Sequence, residues 1–255
     1  MNKTEMFLER IGLPHDYTIS QSYDFLKTVQ YAAVTEIAYE NLDILKKRPL
    51  KLDADGLFEK IVVRGRGGYC FEVNGILSWF LKASGFEVTN HFARFLRGEK
   101  EIPMRRHRVL SVKCGDGTYF CDIGIGQTAP RYPLKIEHGL IQEQFGEQYK
   151  FQKDNTHGWI LYDLHNGAWR EFISFTEDPA YEVDFIQPSF YCEHHPDSVF
   201  NKTAMLAIKT ADGRKTIDGS TYKIFKGNEL TYIEENISGS RFSELIAKEF
   251  RLKNI

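Results

Sequence analysis

The residue with the clearest chemical potential is Cys70, which follows a glycine pair in the stretch Arg64-Gly65-Arg66-Gly67-Gly68-Tyr69-Cys70. Apolar residues recur at helical spacing after it, at Val73, Leu77, Phe80 and Leu81. Cys70 is therefore predicted in the first turn of a helix. Unpaired backbone N–H groups and the helix dipole favour an anion there, and Arg64 and Arg66 are close in sequence. The pattern predicts a thiol that ionises more readily than a free one, and a thiolate is a nucleophile.

Gly67 and Gly68 support two interpretations of this stretch. Without side chains they could let a substrate approach the sulfur and let backbone amides point at a developing oxyanion. Alternatively, Cys70 is a small buried hydrophobic residue, and the glycines only shape a turn. The stretch alone is equally compatible with both interpretations.

A second chemical group comes from two strand-like runs, His107–Val112 and Thr118–Ile123, which a short turn joins into a predicted hairpin. If Lys113 pairs with Thr118, His107 lies opposite Gly124 and Val109 lies opposite Asp122. Because directly opposite residues share a face, His107 and Asp122 become diagonal neighbours on one face, roughly 7–8 Å apart at the backbone.

A carboxylate that accepts a hydrogen bond from one imidazole nitrogen leaves the other nitrogen free to take a proton from a thiol. Taken singly, His107 is more simply a structural histidine and Asp122 a turn acid. Together with a cysteine at a helix start, the three supply a nucleophile, a base and an orienting carboxylate. We therefore predict Cys70, His107 and Asp122 as the catalytic residues.

The elements that position these residues fall into three stretches. Helical periodicity dominates residues 1–85, which predicts a helical lobe that carries Cys70. From 86 to about 190 the period changes to two, with aromatic and β-branched residues between turn signals, which predicts an antiparallel sheet or barrel. Residues 191–255 mix strands with a closing helix predicted over Ser240–Lys253.

Composition limits the class of protein. The chain has 255 residues, of which 42% are hydrophobic and 27% charged, so it is long and apolar enough to form packed lobes rather than a disordered or fibrous chain. A formal net charge of −2 and short basic clusters argue against a nucleic-acid partner. No stretch approaches the roughly 18 apolar residues of a membrane span, and no apolar leader follows Met1, so we expect a cytoplasmic protein with no membrane partner.

The number of cysteines also indicates a reducing compartment. Four cysteines are too few for a disulfide scaffold at this length, and we expect free thiols in a reducing compartment. Their spacing relative to the eight histidines gives no zinc-type pair, so no metal is expected.

At this point the chain resembles the arylamine N-acetyltransferase family over nearly its full length. The family pattern Arg-Gly-Gly-x-Cys-x-Glu-x-Asn is met by the run from Arg66 to Asn74. The family element Pro-Phe-Glu-Asn-Leu corresponds to Ala38-Tyr39-Glu40-Asn41-Leu42, with its first two residues replaced. The family element Asp-Val-Gly-Phe-Gly falls on Asp122-Ile123-Gly124-Ile125-Gly126, and its histidine falls on His107.

The resemblance implies an α+β fold with a helical lobe, a central antiparallel β-barrel and a C-terminal α/β lid, and a papain-like Cys-His-Asp arrangement. It implies acetyl-CoA as co-substrate, with no metal. The acceptors it implies are small aromatic amines or hydrazines, and possibly N-hydroxyarylamines through O-acetylation.

The resemblance also implies roles for individual residues. Tyr39, Gly124, Ile125 and Gly126 would bind substrate, while Gly67 and Gly68 would support the site. Glu40 would pair with Arg66 to brace the cysteine loop, whereas local sequence alone favours a solvated helix charge at Glu40. The replacements at Ala38, Tyr39 and Ile125 are expected to affect the choice of amine and not the triad.

Two other classes of function remain open from the sequence. A thiol hydrolase or transglutaminase-like enzyme shares the Cys, His, Asp order and could pass an acyl group to water. A non-catalytic binding module could have kept the pocket. Acetyl-CoA consumption with and without an arylamine distinguishes the first alternative, and iodoacetamide labelling of Cys70 at neutral pH tests the second.

Overall fold

The computed structural model describes residues 1–97, 101–253 and 255. Among them the helices are α1 (Lys3–Arg10), α2 (Tyr23–Glu36), α3 (Leu42–Leu45), α4 (Ala54–Leu57), α5 (Cys70–Ala83), α6 (Ile186–His194) and α7 (Gly239–Lys248). A π-helical stretch, Phe58–Val63, follows α4, and 3₁₀ turns lie at Gly126–Thr128, Glu182–Phe185 and Val199–Asn201. The strands are β1 (Tyr39–Glu40), β2 (Glu87–Phe95), β3 (His107–Cys114), β4 (Gly117–Cys121), β5 (Leu134–Lys135), β6 (Ile141–Gln144), β7 (Glu147–Asp154), β8 (Gly158–His165), β9 (Ala168–Phe175), β10 (Met205–Lys209), β11 (Gly213–Asp218), β12 (Thr221–Lys226) and β13 (Glu229–Glu234).

The helical part is built around α5, which begins at Cys70 as the sequence predicted. This helix is apolar on most of its surface and is almost entirely buried, because α1 and β3 both contact it. The ring of Phe7 on α1 stacks on Phe80 with centroids 4.3 Å apart. Gly85 follows the helix with a φ of +89°, where a side chain would be strained.

The larger sheet has eight antiparallel strands in the order β5-β4-β3-β2-β9-β8-β7-β6. Side-chain amides join its two edge strands. Gln142 accepts from the backbone N–H of Lys135 at 2.7 Å and donates to the same residue's carbonyl at 2.9 Å. Gln144 makes the equivalent pair of bonds with Tyr132, at 2.6 and 3.1 Å. The sheet thus curls into a nearly closed barrel, as expected.

The hairpin of β3 and β4 has the predicted register. Lys113 lies opposite Thr118, and Leu110 lies opposite Cys121. The ladder between these strands ends at Cys121, so Asp122 and Gly124 follow the strand and are not paired within it. His107 instead lies opposite Ala93 on β2. Another hairpin, with its turn at Asn166 and Gly167, joins β8 to β9.

The smaller sheet has the order β1-β10-β11-β12-β13 and packs against α7. Its first strand comes from within the predicted helical lobe, with Tyr39 opposite Ala207 and Glu40 opposite Leu206. The closing helix is shorter than predicted, because it ends at Lys248 and Arg251 adopts a φ of +56°, which is not helical. No helix among the described residues is long and apolar enough to cross a membrane.

Candidate active site

Cys70 lies at the start of α5, in a buried position where only 2% of the residue is exposed. Its Sγ is 3.8 Å from the carbonyl oxygen of Arg106, the residue immediately before His107. On the other side lies Gly124, since a Cβ built on that glycine would be 2.8 Å from the Cα of Cys70. The helix start, the N-terminal end of β3 and the turn after β4 therefore meet at the sulfur.

His107 and Asp122 are in direct contact, as predicted, although the expected pairing of Asp122 within the strand ladder is absent. The Nε2–H of His107 donates to Oδ2 of Asp122 at 2.5 Å, and both side chains are fully buried. Nδ1 of His107 is also buried and has no hydrogen-bond partner among the described residues. One imidazole nitrogen is thus held by a carboxylate, and the other remains available for a proton.

Asn74 holds Asp122 in place, a role that the sequence argument missed. Its Nδ2 donates to Oδ1 of Asp122 at 2.8 Å and to the carbonyl of Arg108 at 2.6 Å. Its Oδ1 accepts from the backbone N–H of Ile123 at 2.9 Å. The sequence could have indicated that Asn74 lies at the site, because it follows Cys70 by four residues and therefore shares its helix face.

The surroundings of Cys70 do not by themselves make the thiol acidic, contrary to the prediction. Burial raises the pKa of the Cys70 thiol well above its ordinary value, and Cys192 and Asp122 raise it further, while backbone hydrogen bonds from Arg108 and Phe71 oppose the rise. The guanidinium of Arg66, expected to help, is fully buried in ion pairs with carboxylates. Ionisation of Cys70 thus requires a group that can take the proton.

The glycine pair has a packing role that the sequence did not reveal. A Cβ on Gly67 would lie 2.1 Å from the carbonyl oxygen of Ala38, and one on Gly68 would lie 2.7 Å from the Cβ of Glu72. The Gly68 N–H donates to Ala38 O at 3.3 Å, so it is not free for an oxyanion. These glycines are required by the close approach of the loop to β1 and to α5.

Glu40 and Arg66 form the ion pair that the resemblance implied. The Oε1 of Glu40 lies 2.8 Å from Nη2 of Arg66, and both side chains are completely buried. Nη1 of Arg66 also contacts Asp43 at 3.1 Å. The local interpretation of Glu40 as a solvated charge is therefore wrong. Local sequence could not reveal this ion pair, because Arg66 lies on a loop distant in sequence.

The residues expected to bind substrate lie close to the cysteine. Tyr39 packs against the apolar cluster that contains Cys70. Burial raises the pKa of the Tyr39 hydroxyl, and Cys70 adds to that rise. A Cβ on Gly126 would be 3.5 Å from the Tyr39 ring, so the turn after β4 packs on β1. Ile125 is 7% exposed and joins the main apolar core.

A cavity of about 900 Å³ lies to one side of these residues, between the segment 44–53 and α6. Its walls include Leu50, Ile186, Ser189 and Phe190, but not Cys70, His107 or Asp122. The Oγ of Ser189 lies 2.6 Å from the Tyr69 hydroxyl, so this residue separates the cavity from the loop before Cys70. The cavity therefore adjoins the cysteine loop and does not contain the reactive groups.

The arrangement suits acyl transfer through sulfur. A buried thiol, an imidazole with one free nitrogen and an orienting carboxylate supply a nucleophile, a base and its support. Among the described residues, no group of three or more His, Cys, Asp or Glu side chains is placed to hold a metal ion.

Comparison with known proteins agrees with this chemistry. Residues 22–254 match the family model described as N-acetyltransferase. The chain is 31% identical over 233 residues to the arylamine N-acetyltransferase of Mycolicibacterium smegmatis, covering 89% of this chain and 84% of that protein. It is 29% identical to the arylamine N-acetyltransferase / N-hydroxyarylamine O-acetyltransferase of Salmonella typhimurium, covering 83% and 73% of the two chains.

Solved structures extend the likeness to the fold. The arylamine N-acetyltransferase from Salmonella typhimurium superposes with a TM-score of 0.93 at 25% identity, covering 99% of this chain and 92% of that one. The Mycobacterium marinum enzyme in complex with CoA gives a TM-score of 0.88 at 28% identity, covering 96% and 91%. With a family match over most of its length and a buried Cys70 beside a His107–Asp122 pair, the chain belongs to the arylamine N-acetyltransferase family.

Proposed function

We propose that this protein transfers an acetyl group from acetyl-CoA to the nitrogen of arylamines and arylhydrazines, and to the oxygen of N-hydroxyarylamines. The observation that carries the proposal is the His107–Asp122 contact beside Cys70, with Nδ1 of His107 left without a partner. The names of the relatives support the acceptor class, and the CoA complex of the Mycobacterium marinum protein supports the donor.

The reaction proceeds in two half-reactions. In the first, Nδ1 of His107 takes the proton of Cys70, and the sulfur attacks the thioester carbonyl of acetyl-CoA. The tetrahedral intermediate collapses, CoA leaves with the proton returned by His107, and the acetyl group remains on Cys70 as a thioester.

In the second half-reaction the amine nitrogen attacks the acetyl-cysteine, and His107 accepts the proton that the nitrogen loses. The C–S bond breaks, and the sulfur leaves and regains a proton. Asp122 stabilises the imidazolium that forms in each half-reaction. The donor product leaves before the acceptor reacts, which is a ping-pong sequence.

Substrate contacts are assigned to the residues around the sulfur. Tyr39, Gly124, Ile125 and Gly126 lie on β1 and on the turn after β4, and both elements pack beside Cys70. We assign the acceptor ring to this region. We also propose that the protein has three parts: residues 1–85 carry Cys70, residues 86–190 carry His107 and Asp122, and residues 191–255 form the third part.

The test is the mass of the protein after incubation with acetyl-CoA alone. A gain of one acetyl group on Cys70, discharged when an arylamine is added, is the expected result. Cys70→Ala should take up no acetyl group and should not turn over. Acetyl-CoA consumption that is equally fast without any amine would instead indicate a hydrolase, and turnover by Cys70→Ala would disprove the role of the thiol.

A further inference from the structure

Five charged side chains, four buried and one (Lys60) with 13% of its side chain exposed, lie beneath the loop before Cys70, and we call them the carboxylate network. Its members are Glu40, Asp43, Lys60, Arg66 and Glu72. Arg66 joins Glu40 at 2.8 Å and Asp43 at 3.1 Å. Lys60 joins Asp43 at 2.9 Å and Glu72 at 2.7 Å. The network therefore runs without a break from β1 through the π-helical stretch to the first turn of α5.

Glu72 connects this network to the nucleophile. Its Oε1 accepts a hydrogen bond from Nζ of Lys60, and its Oε2 accepts one from the backbone N–H of Tyr69 at 3.2 Å. Tyr69 caps the helix that Cys70 begins, so the carboxylate satisfies one of the N–H groups that a helix start leaves unpaired. Gly68 lies against the same carboxylate, because a Cβ there would be 2.9 Å from Oε2.

The three carboxylates of the network outnumber its two cations, Lys60 and Arg66. A third cation, the exposed Arg48, reaches Asp43 at 3.4 Å from outside the network. Burial raises the pKa of the Glu72 carboxyl to about 7, with Glu40 adding to the rise and Lys60 opposing it. Burial would lower the pKa of Lys60, but Glu72, Glu40 and Asp43 raise it, so Lys60 stays charged.

We propose that Lys60 and Glu72 are positioning residues for Cys70: Lys60 holds the Glu72 carboxylate where it fixes the Tyr69 amide, and hence the first turn that presents the sulfur. This role rests on the proposed function only in that Cys70 is taken as the nucleophile; the contacts themselves are present in the protein without substrate. When Glu72 is ionised it accepts the Tyr69 N–H in a charge-assisted bond. When it is protonated, both that bond and its ion pair with Lys60 weaken.

The experiment compares Lys60→Met with Lys60→Arg. The control is Lys215→Met, which removes another partly buried Lys–Glu pair, with Glu249 at 2.6 Å, in the smaller sheet. For each variant the rate of iodoacetamide alkylation of Cys70 and the rate of its acetylation by acetyl-CoA are measured from pH 5.5 to 9, together with the melting temperature. Alkylation needs no acetyl-CoA, so it tests the positioning role even if the proposed acetyl transfer fails.

Lys60→Met is expected to slow both reactions of Cys70 about tenfold at pH 7, and to move the acid side of both pH profiles upward by about one unit, because Glu72 then protonates more easily. Lys60→Arg should restore both profiles, and Lys215→Met should lower only the melting temperature. A folded Lys60→Met protein with wild-type rates and an unmoved profile would overturn the proposal.

A second variant covers the case in which Lys60→Met does not fold. Lys60→Met combined with Glu72→Gln removes both charges together, so no single charge is left buried without its partner. Slow alkylation of Cys70 without a titration near pH 7 is the expected result. Alkylation at the wild-type rate by this double variant would show that the pair only stabilises the fold.

Discussion

His107 is held by one of its two ring nitrogens, and this asymmetry determines what the side chain can do. Nε2 donates to Asp122, and Nδ1 has no partner among the described residues. The carboxylate is itself fixed, since Oδ1 accepts from Asn74 at 2.8 Å and from the Gly124 N–H at 2.7 Å. Asp122 therefore selects the tautomer whose free lone pair is on Nδ1.

Asp122→Asn should keep the fold and lose most of the activity. The amide can occupy the same space, but it can also favour the wrong imidazole tautomer and cannot stabilise the imidazolium. By analogy with serine triads, we expect the rate of acetyl transfer to fall on the order of 10⁴-fold. Single-turnover acetylation of Cys70 measures it, with circular dichroism as the check on folding. A loss of only a few-fold would make Asp122 part of the scaffold.

His107→Gln should reveal the cost of burying the thiol. Burial raises the pKa of Cys70. In the proposed mechanism its proton passes to His107, which produces a thiolate beside an imidazolium. Without the imidazole, alkylation by iodoacetamide should require a pH above the pKa of a free thiol, which is about 8.5. We therefore expect the rate at pH 7 to fall at least about tenfold in the variant. Equal pH profiles for the two proteins would contradict the ion-pair mechanism.

Ile125→Phe should change the preference among amines. Ile125 offers apolar area without a ring on which an aromatic acceptor can stack, and Tyr39 nearby adds a hydroxyl. Differences of this kind are worth about 1–3 kcal/mol, or roughly 10- to 200-fold in relative kcat/KM. The measurement compares a small and a bulky arylamine, alongside the rate of enzyme acetylation. If the ratio stays constant while acetylation changes, Ile125 belongs to the acetyl-CoA side.

At the scale of elements, the site is the meeting of a helix start with the turn after β4. The two come close enough to require glycine, since a Cβ on Gly124 would lie 2.8 Å from both Cys70 Cα and Asn74 Nδ2. The backbone atoms of α5 cannot yield as a flexible side chain could. The close approach of Cys70 to the turn that carries Asp122 therefore depends on glycine, which has no Cβ, at position 124.

Gly124→Ala should separate these elements. We expect the added methyl to push the turn from α5, weaken the Asn74–Asp122 bond and reduce Cys70 acetylation by at least about tenfold, with about 1–3 kcal/mol of lost stability from overpacking. Gly117→Ala is the matched control, because its Cβ would meet only the ring of Tyr119, a partly exposed side chain, at 3.1 Å. If both variants acetylate alike, the close approach at Gly124 has no role in catalysis.

What the sequence predicted at this scale depended on local rules. The register of β3 and β4 follows from a period of two and a short turn, so the His107–Asp122 contact could be worked out. The position of Glu40 could not, because Arg66 lies 26 residues away and no local pattern names it as a partner. The pairing of β1 with β10 could not be predicted from the sequence either, because a two-residue strand is too short to show a periodic pattern.

At the scale of the molecule, the two sheets are joined by buried polar contacts. Lys209 on β10 reaches Glu147 on β7 at 2.9 Å, with its side chain only 1% exposed. Arg131 donates to the carbonyls of Thr210 and Gly213. Asn41 donates to the carbonyls of Phe200 and Thr203 at 2.8 Å. The C-terminal part is thus tied both to the barrel and to the segment that follows β1.

Lys209→Met should alter how stability depends on pH. Burial lowers the pKa of Lys209 to about 8, although Glu147 opposes the fall. The unfolded chain keeps this proton up to about pH 10.4, so between these values the unfolded state binds more protons, and the free energy of unfolding rises with pH. Relative to the variant, the wild type should gain up to about 1.4 kcal/mol per pH unit between pH 8 and 10. Urea denaturation at several pH values measures it, and parallel curves would contradict it.

The two-residue strand β1 also bears on how the protein is made. Tyr39 lies opposite Ala207 on one side and bridges to Gly68, in the cysteine loop, on the other. During synthesis the ribosome releases residue 39 long before residue 207, so a nascent chain contains the thiol, the imidazole and the carboxylate while β1 still lacks β10, its neighbour on the side away from Gly68. The sulfur of Cys70 is therefore set in its final surroundings only after β10 has been made, and a chain cut short before β10 carries Cys70, His107 and Asp122 without this support.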